Sequence, residues 1–187
     1  MNTANLHFVT AIGLFVITLV LIAGYYYFQS RRRSSPASWE ELLAKLTWID
    51  PNNIAEVALD LVDESGQPRV ADDAGSLDPS QVWKLTGGLK GLEVLEKNSE
   101  VLIDLAFYVQ QWYPEALVIA ERLRLDAREL KWHVERLKGA AQKGNLQISF
   151  PFYAQRAVVS YYRMTRRVLS LYEAGDFSML ADLQKAL

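Results

Sequence analysis

The first long hydrophobic segment of the chain is residues 8–28, FVTAIGLFVITLVLIAGYYYF, which contains no charged residue, side-chain amide or proline. As a helix its twenty-one residues would be about 31 Å long, close to the ~30 Å thickness of a bilayer's hydrocarbon core. Tyr25, Tyr26 and Tyr27 stand where an aromatic belt meets the lipid headgroups. The sequence therefore predicts a transmembrane anchor over 8–28, preceded by a short segment, 1–7.

A cleaved signal peptide is the alternative interpretation of this segment. Such a peptide has basic residues before a shorter apolar core, and small residues at its cleavage site. Residues 1–7 contain no Lys or Arg, and bulky tyrosines occupy the place of the cleavage site. The pattern therefore favours an anchor that is retained.

The residues that follow the anchor predict its orientation. Arg31, Arg32 and Arg33 lie in a short linker, 29–37, whereas the other flank of the anchor has no Lys or Arg. The flank rich in Lys and Arg stays in the cytoplasm. We therefore expect 1–7 outside the membrane, the arginine triplet at the inner membrane surface, and residues 38–187 in the cytoplasm.

Residues 38–187 repeat their apolar positions every three or four residues, with no sustained alternation typical of a strand. Helix starts are indicated by a cap residue followed by glutamate or proline. These signals are Ser38 with Glu41, Asp50 with Pro51, and Asp78 with Pro79. We expect an all-α fold, in which the transmembrane helix is followed by a soluble, bundle-like domain of six or seven helices.

Three further segments complete this prediction. Asn98 and Ser99 indicate the start of another helix, which is apolar on most sides and so typical of a buried central helix. Two long helices are predicted over 114–143 and 152–174. Their apolar positions alternate steps of four and three residues, so we expect the two to pair antiparallel within the domain. A dimeric coiled coil is the alternative, and it would make the protein a homo-oligomer.

Composition removes several chemistries. The chain has no cysteine, which excludes disulfides, thiolate catalysis and zinc sites built on cysteine. Its net charge of −2 is unevenly distributed: residues 38–114 carry −9, residues 115–187 carry +4, and the arginine triplet adds +3. The domain is thus acidic in its first half and basic in its second.

No catalytic or ligand-binding motif is recognisable. Asp72 and Asp73, in a long loop over 65–77, do not have the spacing of a calcium loop, and the glycines before and after Lys90 do not form a phosphate loop. Glu129 and His133 share a helix face and are interpreted as a surface pair. We therefore expect no catalytic residue, cofactor or metal ligand.

Four arginines of the last long helix form the best candidate docking surface. They are Arg156, Arg163, Arg166 and Arg167. An acidic partner protein or anionic lipid would fit them, whereas nucleic acid is disfavoured because the whole domain is acidic. A solvated face, or one paired with the domain's own acidic half, is the alternative without a function.

Together these patterns predict a single-pass membrane protein that presents a helical protein-interaction domain at the cytoplasmic membrane face, as a scaffold or accessory subunit without catalytic activity. A membrane-tethered enzyme with a pocket of carboxylates and arginines is the second hypothesis. A deep polar pocket with two converging acids would favour the enzyme, and a shallow groove or exposed apolar patch would favour the binding module.

Overall fold

The computed structural model describes residues 12–24, 38–69 and 76–187, and the chain divides into two compact units, Met1–Ala37 and Ser38–Leu187. In the first unit, residues 12–24 form one helix, α1. Its large apolar side chains are all exposed, from Ile12 at 47% to Leu21 at 67%. No side chain of this helix from Ile12 to Ala23 is buried.

No helix within the described ranges is long and apolar enough to cross a membrane. The described part of the predicted anchor over 8–28 is α1 alone, so the described residues do not by themselves support a transmembrane helix. Residues 8–11 and 25–28 of that prediction lie outside the described residues, as do the interface tyrosines and the arginine triplet.

The second unit is all-helical, as predicted. Its helices are α2 (Trp39–Lys45), α3 (Pro51–Leu59), α4 (Pro79–Thr86), α5 (Gly88–Val109), α6 (Ala116–Gln142), α7 (Leu146–Ala174) and α8 (Leu180–Ala186). In the described part of the chain, the one β-type pairing is an isolated antiparallel bridge between Val62 and Pro68. Seven helices without a sheet confirm the predicted fold class of this unit.

The predicted cap residues begin α2, α3 and α4. Ser38 and Glu41 form a reciprocal capping box, and the Asp50 carboxylate accepts from the Asn52 amide. Asp78 caps α4 together with Gln81. Gly87 then ends α4 in the left-handed conformation with φ of 69°, which favours glycine.

The predicted helix start at Asn98 and Ser99 is wrong, because α5 runs without a break through both residues. The Asn98 side chain does not cap its own helix. It accepts from the Thr47 backbone N–H at 3.0 Å and donates to the Thr47 carbonyl at 2.7 Å. Asn98 is therefore a buried residue that connects α5 to the segment between α2 and α3 by hydrogen bonds. A residue type that often caps helices here makes a tertiary contact instead.

The central helix is α7, which packs against α3, α4, α5, α6 and α8. It begins at Leu146, earlier than the predicted residue 152, and includes Pro151. Trp132 of α6 meets Tyr153, and Asp126 meets Arg167 farther along α7, so the two long helices run antiparallel as predicted.

The apolar positions of α6 that alternate steps of four and three residues form the seam of this helix. Most of the seam is buried: Leu123, Leu130, Val134 and Leu137 are fully covered, whereas Ala127 is half-buried and Ala141 is exposed. Outside these positions, four large apolar side chains of α6 are exposed, namely Leu117, Val118, Leu125 and Trp132.

Candidate docking surfaces

An open groove of about 570 Å³ lies between α7 and the loop that follows α3. We call it the arginine groove. One wall is the loop segment 64–67, and the other is a face of α7. The α7 residues are Tyr162, Arg163, Arg166, Arg167, Leu169, Ser170 and Glu173.

The loop wall is held by two aspartates. Asp63 accepts from the Ser65 hydroxyl at 2.6 Å and from the Gln67 amide at 2.9 Å, and these hydrogen bonds lower the pKa of its carboxyl. Buried Asp60 accepts from the Ser76 hydroxyl and from Gln155 of α7, both at 2.8 Å. Segment 63–67 is thus closed by hydrogen bonds within itself, and Asp60, just before this segment, connects it to α7.

Arg163 joins the two walls of the groove. Its Nε donates to the Gly66 carbonyl at 2.8 Å. Gly66 has φ of +79°, and a Cβ atom built there would approach the Arg163 Cγ to 3.1 Å. Arg163 therefore has a structural partner inside the domain, while Gly66 allows its close approach.

Arg167 also has a partner inside the domain. Its guanidinium forms an ion pair with the carboxylate of Asp126, a buried residue of α6. Burial lowers the pKa of Arg167, with a further contribution from the nearby charge of Arg122. This ion pair fixes α7 against α6 at the edge of the groove.

Arg166 differs from its two neighbours because it is exposed and makes no hydrogen bond or ion pair with any described residue. The four predicted arginines therefore do not form one unpaired stripe. Three of them line the groove, and two of these three are engaged within the domain. Arg156 lies elsewhere, with its guanidinium 4.3 Å from the ring centroid of Phe152.

Phe152 belongs to a second surface that we call the aromatic surface, formed by Trp132, Ile148, Phe152, Tyr153, Arg136 and Arg156. The Tyr153 ring centroid lies 5.8 Å from that of Trp132 and 5.1 Å from that of Phe152. Arg136 lies over Trp132 at 4.9 Å. Ile148, one helical turn before Phe152, is 86% exposed.

His133 lies beneath this surface, and its predicted place on an exposed face is wrong. The residue is only 4% exposed, and its ring packs against those of Trp132 and Tyr153. Its Nε2 is 3.8 Å from Glu129, so the two residues do pair, but Nδ1 has no hydrogen-bond partner. Burial lowers the pKa of His133, as does Arg156 more weakly, whereas Glu129 acts in the opposite direction.

The sequence analysis missed the aromatic surface, although a signal for it exists. Trp132 lies opposite the buried seam positions Leu130, Val134 and Leu137 on the α6 wheel, so a large ring occupies a face otherwise suited to water. Ile148 lies before the predicted helix over 152–174, and Phe152 is the first residue of that helix. Their exposure becomes apparent only once α7 is known to begin before Pro151.

The acidic half of the domain is partly neutralised at the α5–α6 contact. Lys138 lies 3.3 Å from Glu96 and 3.9 Å from Glu93, and Lys131 is 3.9 Å from Glu96. The described residues contain no cluster of three His, Asp or Glu side chains placed to hold a metal ion.

No protein-family profile, curated protein or solved structure matches this chain.

Proposed function

We propose that the protein is a single-pass membrane protein that holds a helical protein-interaction domain, residues 38–187, at the cytoplasmic face of a membrane. Support for the anchor comes from α1, where nine large apolar side chains between Ile12 and Ile22 are exposed. A helix that is apolar on all sides needs a nonpolar environment around it. The uncharged segment 8–28 and the arginines that follow it extend this argument.

The docking site in this proposal is the arginine groove, and its partner is an acidic segment of another protein. The observation that carries the proposal is Arg166, an exposed guanidinium without a partner among the described residues, beside two arginines that the fold holds in place. Arginine binds carboxylates through two parallel hydrogen bonds, and its charge is always present. The groove is open to solvent, which supports a binding module over an enzyme with an enclosed site.

Anchoring is tested by alkaline carbonate extraction of membranes from cells that express the full chain. An integral protein stays in the pellet, whereas a peripheral one is released. Deletion of residues 8–28 is the matched control and should move the protein to the supernatant. Release of the full chain would overturn the anchor.

Docking is tested with Arg166→Glu and a control of the same charge change, Arg128→Glu, at an exposed position of α6. Both variants should keep the wild-type circular dichroism, because neither side chain is engaged in the fold. In mild detergent, proteins that co-purify with the wild type and with Arg128→Glu should be lost from Arg166→Glu. Identical sets of co-purifying proteins in all three samples would remove the groove from the proposal.

A further inference from the structure

The aromatic surface, which lies outside the arginine groove, combines exposed apolar side chains with arginines. Exposed large apolar side chains there alternate with arginines: Phe152 is 53% exposed and Trp132 is 48% exposed, each with a guanidinium stacked on its ring. Ile148 protrudes farthest, at 86% exposure. Such a combination is found where a protein meets the boundary between lipid headgroups and acyl chains.

The charge around this surface has one sign over a long stretch of sequence. From Arg136 to Tyr172 the chain has thirty-seven residues without Asp or Glu, and seven of them are Lys or Arg. Two glutamates of α6 lie just before this stretch: Glu135 is 3.2 Å from Lys138, and Glu129 is 3.8 Å from His133. A partner with dense negative charge would therefore be attracted to this part of α6 and α7.

We propose that the aromatic surface binds the anionic surface of a lipid bilayer, with Ile148, Phe152 and Trp132 at the level of the headgroups and Arg136 and Arg156 at lipid phosphates. The proposal goes beyond protein docking at the groove. It draws on the proposed anchor for one argument: only the nine residues 29–37 separate the predicted anchor from the domain, and a chain of that length reaches at most about 30 Å.

Two properties favour a bilayer over a protein as the occupant. Basic residues near an anionic leaflet are each attracted to it without needing a fixed geometry, and aromatic rings tolerate the mobile headgroup region. Protein partners instead prefer a pocket that receives an anchor side chain. Neither the arginine groove nor the acidic depression at Glu93, Glu96 and Lys138 includes a residue of the aromatic surface.

The absence of cysteine from the chain makes a direct test available. The full chain with Ile148→Cys is labelled with a polarity-sensitive fluorophore and placed in nanodiscs of phosphatidylcholine, with or without phosphatidylglycerol. The control is Ala181→Cys, an exposed position on α8 at the opposite end of α7, which is about 43 Å long. Circular dichroism establishes that both labelled proteins are folded.

We expect the label at residue 148 to shift to the blue and to lose iodide quenching several-fold when the anionic lipid is present. Arg136→Gln with Arg156→Gln should reverse most of this protection, as should high salt. The label at residue 181 should remain quenched in both lipids. Quenching at residue 148 that is the same in both lipids would overturn the proposal.

Two other results would also overturn it. Protection that depends on protein concentration and not on lipid charge would assign the surface to a second copy of the chain. Protection that requires an added protein fraction would assign it to a protein partner. Failure of the anchor is recognised separately by carbonate extraction, and adding the labelled proteins to preformed vesicles of the two compositions still tests the aromatic surface.

Discussion

Single polar residues buried between helices decide how the domain fits together, and Asn98 is the clearest example. Its side chain satisfies both backbone groups of Thr47 and lies 3.4 Å from the Tyr161 hydroxyl. One amide thus connects α5, α7 and the segment between α2 and α3. Because the Thr47 groups are partly buried, they would have few alternatives if the amide were removed.

Asn98→Ala should therefore destabilise the domain by about 1–3 kcal/mol, because it leaves the partly buried backbone donor and acceptor of Thr47 without their partner. Ser99→Ala is the matched control. Ser99 is equally buried but bonds only the Glu96 carbonyl of its own helix, so its loss should cost less than about 1 kcal/mol. Urea unfolding in mild detergent, followed by circular dichroism, measures both. Equal destabilisation by the two substitutions would contradict the assigned role of Asn98.

His133 gives the domain a pH dependence whose sign follows from its surroundings. Burial lowers its folded-state pKa below the ordinary value of 6.5. The unfolded state then takes up the proton first as the pH falls, so His133 reduces stability as the pH drops below about 6.5 towards the folded-state value. Above that window the imidazole is neutral in both states and adds no pH dependence.

His133→Phe should remove this component, since a phenyl ring can still pack against Trp132 and Tyr153 and has no titratable nitrogen. We expect the variant to become more stable relative to the wild type as the pH is lowered from 7 to 5. The measurement is the free energy of unfolding of both proteins at a series of pH values. A difference that stays constant over this range would show that His133 does not titrate as proposed.

At the scale of helices, the α6–α7 pair is the main packing contact of the domain. Leu130 is fully buried at the seam, whereas Leu125 on the same helix is 62% exposed. Leu130→Ala should cost roughly 2–4 kcal/mol through lost burial and the cavity left behind. Leu125→Ala should change stability by no more than about 0.5 kcal/mol. Urea unfolding compares the two, and similar losses would show that the exposed face of α6 is covered.

The helices were predictable from sequence where the signal is local. Ser38, Asp50 and Asp78 cap helices through amides two or three residues away, so their spacing sufficed. Asn98 is bonded to a residue 51 positions away, and its sequence context looks like that of a cap. Pro151 was interpreted as ending a connection, although packing against Trp83 holds neighbouring Phe150 within α7, with ring centroids 4.4 Å apart.

For the candidate site, the sequence predicted which arginines are involved but not which residues they contact. Their spacing placed Arg163 and Arg167 on one face of a helix, but it could not show that Gly66 and Asp126 would engage them. Those partners come from other segments and depend on tertiary packing. For the same reason, the sequence could not show that Arg156 lies outside the groove. Nor could it show the aromatic surface, which forms only where α6 and α7 pack side by side.

For the whole molecule, the strongest prediction concerns topology. The arginines at 31–33 are the Lys or Arg residues close in sequence to the predicted anchor, and the flank rich in Lys and Arg remains in the cytoplasm. Residues 1–7 should therefore face outward and residues 38–187 inward. Single cysteines at Thr3 and at exposed Ala181 report the two sides, because the natural chain has none.

In cells with an intact plasma membrane, an impermeant maleimide should label Thr3→Cys and spare Ala181→Cys, which should react only after permeabilisation. Replacing Arg31, Arg32 and Arg33 with serine in the same two proteins should weaken this asymmetry, since it removes the charge that fixes the orientation. Labelling of residue 181 in intact cells would reverse the predicted topology. It would also place both docking surfaces outside the cytoplasm, where neither a cytoplasmic partner nor the inner leaflet could reach them.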